Sequence, residues 1–298
     1  MKVKVRVPAT SANLGPGFDV AGLALTLYNT FTFELCDEEV SITGCPQQFC
    51  NEGNLTYRAF KQAAQHCGLS YQGIKIECSG DVPYTRGLGS SSTCIVAGIV
   101  GAFAFKKRAE NRQEVLELAS LIEGHPDNVA PAIFGGLTVS VMEENNVSSL
   151  NIPIMHNYCF IALIPPFTLA TKHSRSVLPD VIPRQDAIKN VSQLALLLAS
   201  LINGYDEGLK IGFKDVLHQP YRGKLIERFD QITSSLEEDT RVLGWYLSGA
   251  GPTIMALIRE EDKKRVVEIK EKLGNSIKGW QVQKLQLDTC GYTFEWES

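Results

Sequence analysis

Residues 83–93, PYTRGLGSSST, lead without a break into an apolar stretch that runs from Thr93 to Phe105. A glycine- and serine-rich loop that opens straight onto an apolar helix narrows the folds open to the chain. Such a helix has to be covered by other elements, and its positive N-terminal end has to face the loop. The stretch is shorter than the roughly 20 residues needed to span a membrane, so it is expected to be a core helix packed against a sheet. Gly87 and Gly89 let backbone N–H groups approach a ligand, and Ser90, Ser91 and Ser92 supply hydroxyls, which together form a phosphate cradle. The same residues also suit a simple connector in which Ser90 caps the helix.

The elements on either side point to mixed layers. Residues 2–8, KVKVRVP, alternate with period two, and Val20 to Leu35 continues in apolar and β-branched runs, so the first quarter reads as strands. Asn54 suits an N-cap, Leu55, Ala59, Phe60, Ala63, Ala64 and Cys67 share one face, and Gly68 closes the helix. A short strand is expected from Gly73 to Cys78, and an amphipathic helix from Arg112 to Ile122 with Val115, Leu118, Ala119 and Ile122 in register. Strands follow over 137–142 and 158–164, with helices near 184–203, 223–238 and 260–273 and strands near 242–247, 253–258 and 280–295. This order predicts an α+β fold. A chain of 298 residues exceeds what one core comfortably holds, and the Asn/Ser-rich stretch 145–157 is the expected boundary between domains 1–155 and 156–298.

Charge and composition exclude several function classes. Twenty-nine Lys and Arg against 33 Asp and Glu leave a net charge of −4, with no basic run longer than Lys106 to Arg108. A protein built to neutralise nucleic-acid phosphates would be more basic, which argues against an RNA-binding module. The N-terminal MKVKVRVPA has no apolar core of the kind a signal peptide carries, and the eight cysteines include no CxxC pair. A reduced, cytoplasmic protein without structural zinc is expected. The motifs GxxxxGK[ST], HExxH and GxSxG are absent, which leaves a serine hydrolase using GLGSSS and His125 without its nucleophile elbow.

Three further segments complete the pattern: PATSANLGPGFD at 8–19, read as a polar, Gly/Pro-punctuated loop entering an apolar strand, EGHPDNVAPAIFGG at 123–136, and LSGAGPTIMAL at 247–257. In order with PYTRGLGSSST, these resemble the motifs of the GHMP small-molecule kinases, and the first two look like those of the homoserine kinases within that superfamily. The resemblance spans nearly the whole chain. Thr93 and Cys94 depart from it, standing where many relatives carry small residues such as alanine. It implies an N-terminal domain with a ribosomal-protein-like core, a ferredoxin-like C-terminal domain, ATP and Mg2+ at the loop, and commonly a homodimer. It also implies the reaction of ATP with L-homoserine to give O-phospho-L-homoserine, a step towards threonine. Another small alcohol, such as mevalonate, is the alternative acceptor.

By matching motifs, the resemblance places Pro83, Arg86, Gly87, Leu88, Gly89, Ser90, Ser91, Ser92 and Thr93 on ATP, with Ser91 and Glu117 on Mg2+. It places the acceptor's ammonium on Asp19 and its carboxylate on Arg175 and Arg222, with Thr171 and His125 nearby and Asn13 and Asn128 at the reacting hydroxyl. A guanidinium suits the carboxylate because its planar fork matches the two oxygens. His125 and Asp127 could act as acid and base. Asp127 is also placed to cap the helix that begins at Val129, and that is the expected role.

Overall fold

The period-two pattern at the N-terminus becomes strand β1 (Lys2–Asn13), which turns into the 20-residue β2 (Gly17–Cys36). The computed structural model describes every residue except Glu38, Asn145 and Ser298, and the side chain of Arg265. Val3, Val5 and Val7 of β1 are fully buried, as the alternation requires. The polar PATSAN segment, expected to be a loop, instead continues β1 to Asn13. Thr10, Ser11 and Asn13 are buried there because each side chain finds a tertiary hydrogen-bond partner.

After β3 (Ser41–Thr43), helix α1 (Leu55–Cys67) starts where Asn54 Oδ1 accepts the N–H groups of Thr56 and Tyr57, and it ends at a left-handed Gly68. Strand β4 (Gly73–Gly80), α2 (Ser90–Phe105), α3 (Arg112–Glu123) and α4 (Val129–Phe134) follow. Strands β5 (Leu137–Glu143) and β6 (Asn146–Ile152) then form a hairpin, so the Asn/Ser-rich stretch holds a strand. Asn145, at its start, lies outside the described residues.

The second half contributes β7 (Tyr158–Ile164), α5 (Thr171–Ser176), α6 (Arg184–Asn203), α7 (Asp206–Gly212) and α8 (Gln219–Arg222). It continues with α9 (Phe229–Glu237), β8 (Gly244–Leu247), β9 (Ile254–Arg259), α10 (Val266–Leu273), β10 (Gln281–Leu285) and β11 (Thr293–Glu297). The expected helices at 223–238 and 260–273 each begin with a 3-10 turn and become α-helical only at Phe229 and Val266. Helices α5, α7 and α8 were not apparent in the sequence because they are too short to show a hydrophobic period.

Two sheets organise the chain. In the first, the order is β11-β1-β2-β4-β3, with β5 paired to the start of β2 and β6 to β5; in the second, it is β10-β7-β9-β8. The chain changes sheet between Ile152 and Tyr158, and β11 returns to pair with β1, setting Lys2 opposite Glu297. One face of the first sheet carries α1 to α4. Strand β7 is buried on both sides: Tyr158, Phe160, Ala162 and Ile164 face the cluster shared with β2, whereas Cys159, Ile161 and Leu163 face the cluster that includes α9 and α10.

Helix α2 is buried around nearly its whole circumference. It approaches α1 so closely that a Cβ on Gly98 would lie 2.4 Å from the Thr56 carbonyl oxygen and 2.8 Å from the Ala59 Cβ. Gly98→Val is therefore expected to destabilise the protein by about 1–3 kcal/mol or more through overpacking. Urea unfolding would show this as a lower midpoint at an unchanged slope.

Candidate active site

The loop before α2 forms the middle of a long cleft. Gly87 and Gly89 both have positive φ, and Gly89 is the residue from which α2 starts. No side chain among the described residues caps that end. The first-turn N–H groups and the hydroxyls of Ser90 and Ser91 therefore line the cleft as an anion-binding surface. The space left by the missing Cβ atoms is filled by the protein itself: a Cβ on Gly89 would meet Thr10 Oγ1 at 1.9 Å, and one on Gly87 the Ser248 carbonyl oxygen at 2.3 Å. Glycine is thus required here by the fold of the loop as well as by any phosphate.

The 248–253 turn between β8 and β9 holds this loop in place. Ser248 Oγ donates to the Gly87 carbonyl at 2.5 Å and pairs with Ser11 Oγ at 2.7 Å, while Gly249 N–H donates to the Ala12 carbonyl. Arg86 also lines the cleft, and its guanidinium donates to the carbonyls of Tyr84, Pro165 and Pro166. Pro83, Leu88, Ser92 and Thr93 do not line it. Leu88 is buried and its carbonyl accepts the Thr10 N–H. Thr93 Oγ1 is occupied by Asn29 and the Ser90 carbonyl, and Ser92 lies beneath the surface at 3.5 Å from Glu123.

Glu117 is not at the site. It faces solvent and accepts from Gln113 one turn back on α3, whereas Glu123, at the end of the same helix, accepts from Ser91 Oγ at 2.7 Å. The two glutamates are six residues apart, about one and two-thirds helical turns, and so point to different sides. Glu123 is the first residue of the EGHPDN segment, and its place in that motif was the available signal. The geometry pairs a hydroxyl and a carboxylate beside the phosphate surface, a donor set suited to a hard cation that keeps part of its water shell.

One end of the cleft is charged. Asp19, held at φ +58 with its N–H on Asn13 Oδ1, receives both terminal nitrogens of Arg175, at 2.7 and 2.9 Å. Arg222 lies nearby, 1% exposed, donating to the carbonyls of Ser174 and Gly249 and, at 3.4 Å, to His218 Nδ1. Burial, with Arg175 adding to it, lowers its pKa to about 10, still well above neutrality, while the hydrogen bonds to Asp19 raise that of Arg175. Phe18 lies under both guanidiniums, at 5.0 and 5.5 Å, with its other contact to the stacked ring of His218 at 5.4 Å. Burial lowers the pKa of His218, and its Nε2 pairs with the Gly15 carbonyl. Phe18 and His218 carried no sequence signal as site residues, because their role exists only once β2, α5 and α8 meet.

Beside them, His125 Nδ1 donates to Asp127 Oδ1 at 2.5 Å. Asp127 was expected to cap α4, but among the described residues no side chain caps that helix and the carboxylate is used by the imidazole instead. Asn128 Oδ1 accepts from Thr10, and Asn13 Nδ2 donates to the Gly249 carbonyl; both asparagines line the cleft, as does Thr171 at the start of α5. Asp19, His125 and Asp127 offer ligand atoms within 4.8 Å of one another. With Arg175 on Asp19 and His125 on Asp127, this cluster is already charge-compensated, and it suits an organic cation better than a metal. The opposite end of the cleft is apolar, walled by Phe49, Leu55, Cys45, Cys78, Cys94 and Tyr84, with the Phe49 and Tyr84 rings 6.0 Å apart. A flat heterocycle fits that end.

The chain is similar to known proteins over nearly its whole length. The chain matches the GHMP kinases N terminal domain over residues 54–136 and the GHMP kinases C terminal over residues 187–277. It is 46% identical to the homoserine kinase of Clostridium beijerinckii over 98% of both chains. The chain belongs to the GHMP kinase family. A homoserine kinase structure from Cytophaga hutchinsonii superposes with a TM-score of 0.86 at 27% identity, covering 99% of this chain and 97% of that one. A mevalonate kinase from L. major, at 14% identity and a TM-score of 0.71 over 96% of each chain, shows the shared fold alone. The two-domain GHMP kinase fold expected from the motifs is thus present, and the protein is a small-molecule kinase.

The His125 pair makes stability depend on pH. Burial opposes the imidazolium, but the hydrogen bond and charge of Asp127, with Glu123 and Asp19 adding, outweigh it and raise the pKa above its ordinary value. A raised folded-state pKa contributes stability that is complete below about pH 6.5 and disappears as pH rises through the folded value. His125→Gln should therefore lower the melting temperature most under mildly acidic conditions. The gap to wild type should close towards alkaline pH, as a thermal-shift series would show.

Proposed function

We propose that this protein transfers the γ-phosphoryl group of ATP to the hydroxyl of L-homoserine, giving ADP and O-phospho-L-homoserine for threonine synthesis. The bidentate pairing of Asp19 with Arg175, beside the buried Arg222, is the observation that carries this reading. An α-amino acid brings the same two charges as that ion pair. Its ammonium can take the place of Arg175 on Asp19, and its carboxylate can then meet the guanidiniums of Arg175 and Arg222. An acceptor of the mevalonate type supplies only the carboxylate, and in drawing Arg175 from Asp19 it would bring no cation to replace it. Names carried by relatives across the full chain support the same substrate.

The γ-phosphate would lie over the N-terminus of α2, where free N–H groups and the helix dipole favour negative charge. Ser91 Oγ and Glu123 would hold Mg2+, whose chemistry is to neutralise charge on the phosphate oxygens during transfer. Asn13 and Asn128 would orient the acceptor hydroxyl; as amides they cannot accept its proton. With Asp127 engaged by His125, the γ-phosphoryl oxygen is the acceptor, consistent with a loose transition state in which the proton leaves late. As the oxygen–phosphorus bond forms, the bond to the β-phosphate oxygen breaks and ADP departs.

Two domains at 1–155 and 156–298, a cytoplasmic homodimer and ATP as the donor complete the reading. Among the described residues no helix is long and apolar enough to cross a membrane. Ile188 and Val191 leave an exposed apolar face on α6 for a second subunit.

An ADP-release assay with homoserine, mevalonate, galactose or no acceptor tests the reaction, and release should depend on homoserine. Arg175→Ala should raise the homoserine KM about tenfold or more, the equivalent of losing charge-assisted hydrogen bonds, with little change for ATP. Arg222 also ties α5 to the 248–253 turn, so Arg175 is the cleaner probe. ADP release that is equal with and without homoserine would refute the assignment. Glu123→Gln should raise the Mg2+ concentration for half-maximal rate by about tenfold or more, while Glu117→Gln leaves it unchanged. The reverse pattern in a Mg2+ titration would restore Glu117 as the ligand.

A further inference from the structure

The apolar end of the cleft contains chemistry that phosphoryl transfer does not use. Four cysteines gather there: Cys45, Cys78 and Cys94 line the wall, and Cys50 lies just behind it. All four are free thiols. Cys45 and Cys50 are already in contact, with their sulfurs 3.6 Å apart, and the Cys50 thiol also points at the carbonyls of Cys45 and Pro46.

We propose that Cys45 and Cys50 form an oxidisable dithiol whose pairing distorts the nucleotide-base end of the cleft. The inference rests on the proposed function, with the base of ATP placed at this apolar end, where a flat heterocycle fits.

The two cysteines differ in how freely they can move. Gly44 packs so tightly on β4 that a Cβ there would lie 1.9 Å from the Cys78 carbonyl oxygen, so the backbone leading into Cys45 is fixed. Cys50 ends the 3-10 turn Gln47–Phe49 and is only half-buried. A disulfide needs the sulfurs at about 2.05 Å, so closure must draw Cys50 inward. Phe49, its immediate neighbour, then moves too. Its ring faces Tyr84 across the base end, and its carbonyl accepts from Asn54, the residue that caps α1 and also donates to Cys45 Sγ. Closure would therefore act on the aromatic wall, whereas Asp19, Arg175 and Arg222 lie at the other end.

Hydrogen peroxide would serve as oxidant. The Cys50 thiolate attacks the peroxide oxygen, breaking the O–O bond to give a sulfenic acid and hydroxide. Cys45 sulfur then displaces the sulfenic hydroxyl as water, forming the S–S bond. In total two thiols and one peroxide yield one disulfide and two waters, with two electrons passing from sulfur to oxygen. Burial and the neighbouring Cys50 push the Cys45 thiol up to about 11, so pairing should be slow at neutral pH and faster at mildly alkaline pH.

The test treats the full-length protein with hydrogen peroxide at mildly alkaline pH, alkylates it, and digests it with trypsin. Cys45 and Cys50 share the peptide 7–58, whereas Cys78 lies in 76–86. Fragmentation should localise a loss of two hydrogens to residues 45–50. The ATP KM should rise about three- to tenfold, as expected for a disturbed aromatic contact, with the homoserine KM unchanged and dithiothreitol restoring both the mass and the KM. Cys50→Ser, which alters no cleft-lining side chain, should keep the basal rate and lose the peroxide effect. A cross-link between peptides 7–58 and 76–86 in place of the 45–50 pair would overturn the proposal. So would a 45–50 disulfide without a change in ATP KM, or a Cys50→Ser protein still inhibited by peroxide. The disulfide mapping stands or falls whatever the cleft binds, whereas absence of turnover in the reduced protein would count against the kinase reading.

Discussion

A helix that is apolar on every side has to be enclosed, and enclosing α2 decides where most of the first half of the chain goes. Strands β1 and β2 cover one side and α1, α3 and α4 the rest, with Gly98 admitting the backbone of α1. Enclosure also orients the helix. Only its N-terminal end reaches the surface of the cleft, so free N–H groups and the positive end of the dipole are presented there. The anion-binding surface is therefore a consequence of how the core is closed, and the loop that carries it is held by Thr10 beneath Gly89 and by the Ser248 hydroxyl on the Gly87 carbonyl.

The charged end of the cleft follows from a second constraint, the cost of placing ions where water is scarce. Arg222 is buried, and its charge is tolerated because two carbonyls and His218 accept its hydrogen bonds and Phe18 supplies a π face. Arg175 is balanced by Asp19, and His125 by Asp127. Asp19, Arg175 and Arg222 come from three different elements, β2, α5 and α8, so the pocket is pre-organised before any acceptor enters. Substrate binding then exchanges one set of ionic contacts for another and does not require bare charges to be desolvated anew.

Much of this could be read from the order of residues. Asn54, the face it begins and Gly68 defined α1 to the residue, because capping and periodicity are local. Asp19, Ser91, His125, Arg175 and Arg222, which the resemblance singled out, all line one cleft. Where the reading failed, a long-range contact was decisive. PATSAN looked like a loop because its side chains are polar, yet it is a strand because Tyr246, Ser248, Asn128 and Gly249 satisfy them. Asp127 looked like a helix cap, and it belongs to an imidazole two residues earlier.

The amino-acid sequence by itself determined the helices with caps and a hydrophobic face, the α+β class and the motifs that name the family, since these depend on local propensity and spacing. Tertiary structure alone decided which glutamate meets Ser91. Glu117 and Glu123 lie on one helix and are chemically identical, and only the packing of α3 against α2 turns one towards the cleft and the other to solvent. Tertiary structure also set Phe18 between two arginines and brought Cys45 and Cys50 into contact, because side-chain direction is fixed by what an element packs against and not by the residues next to it.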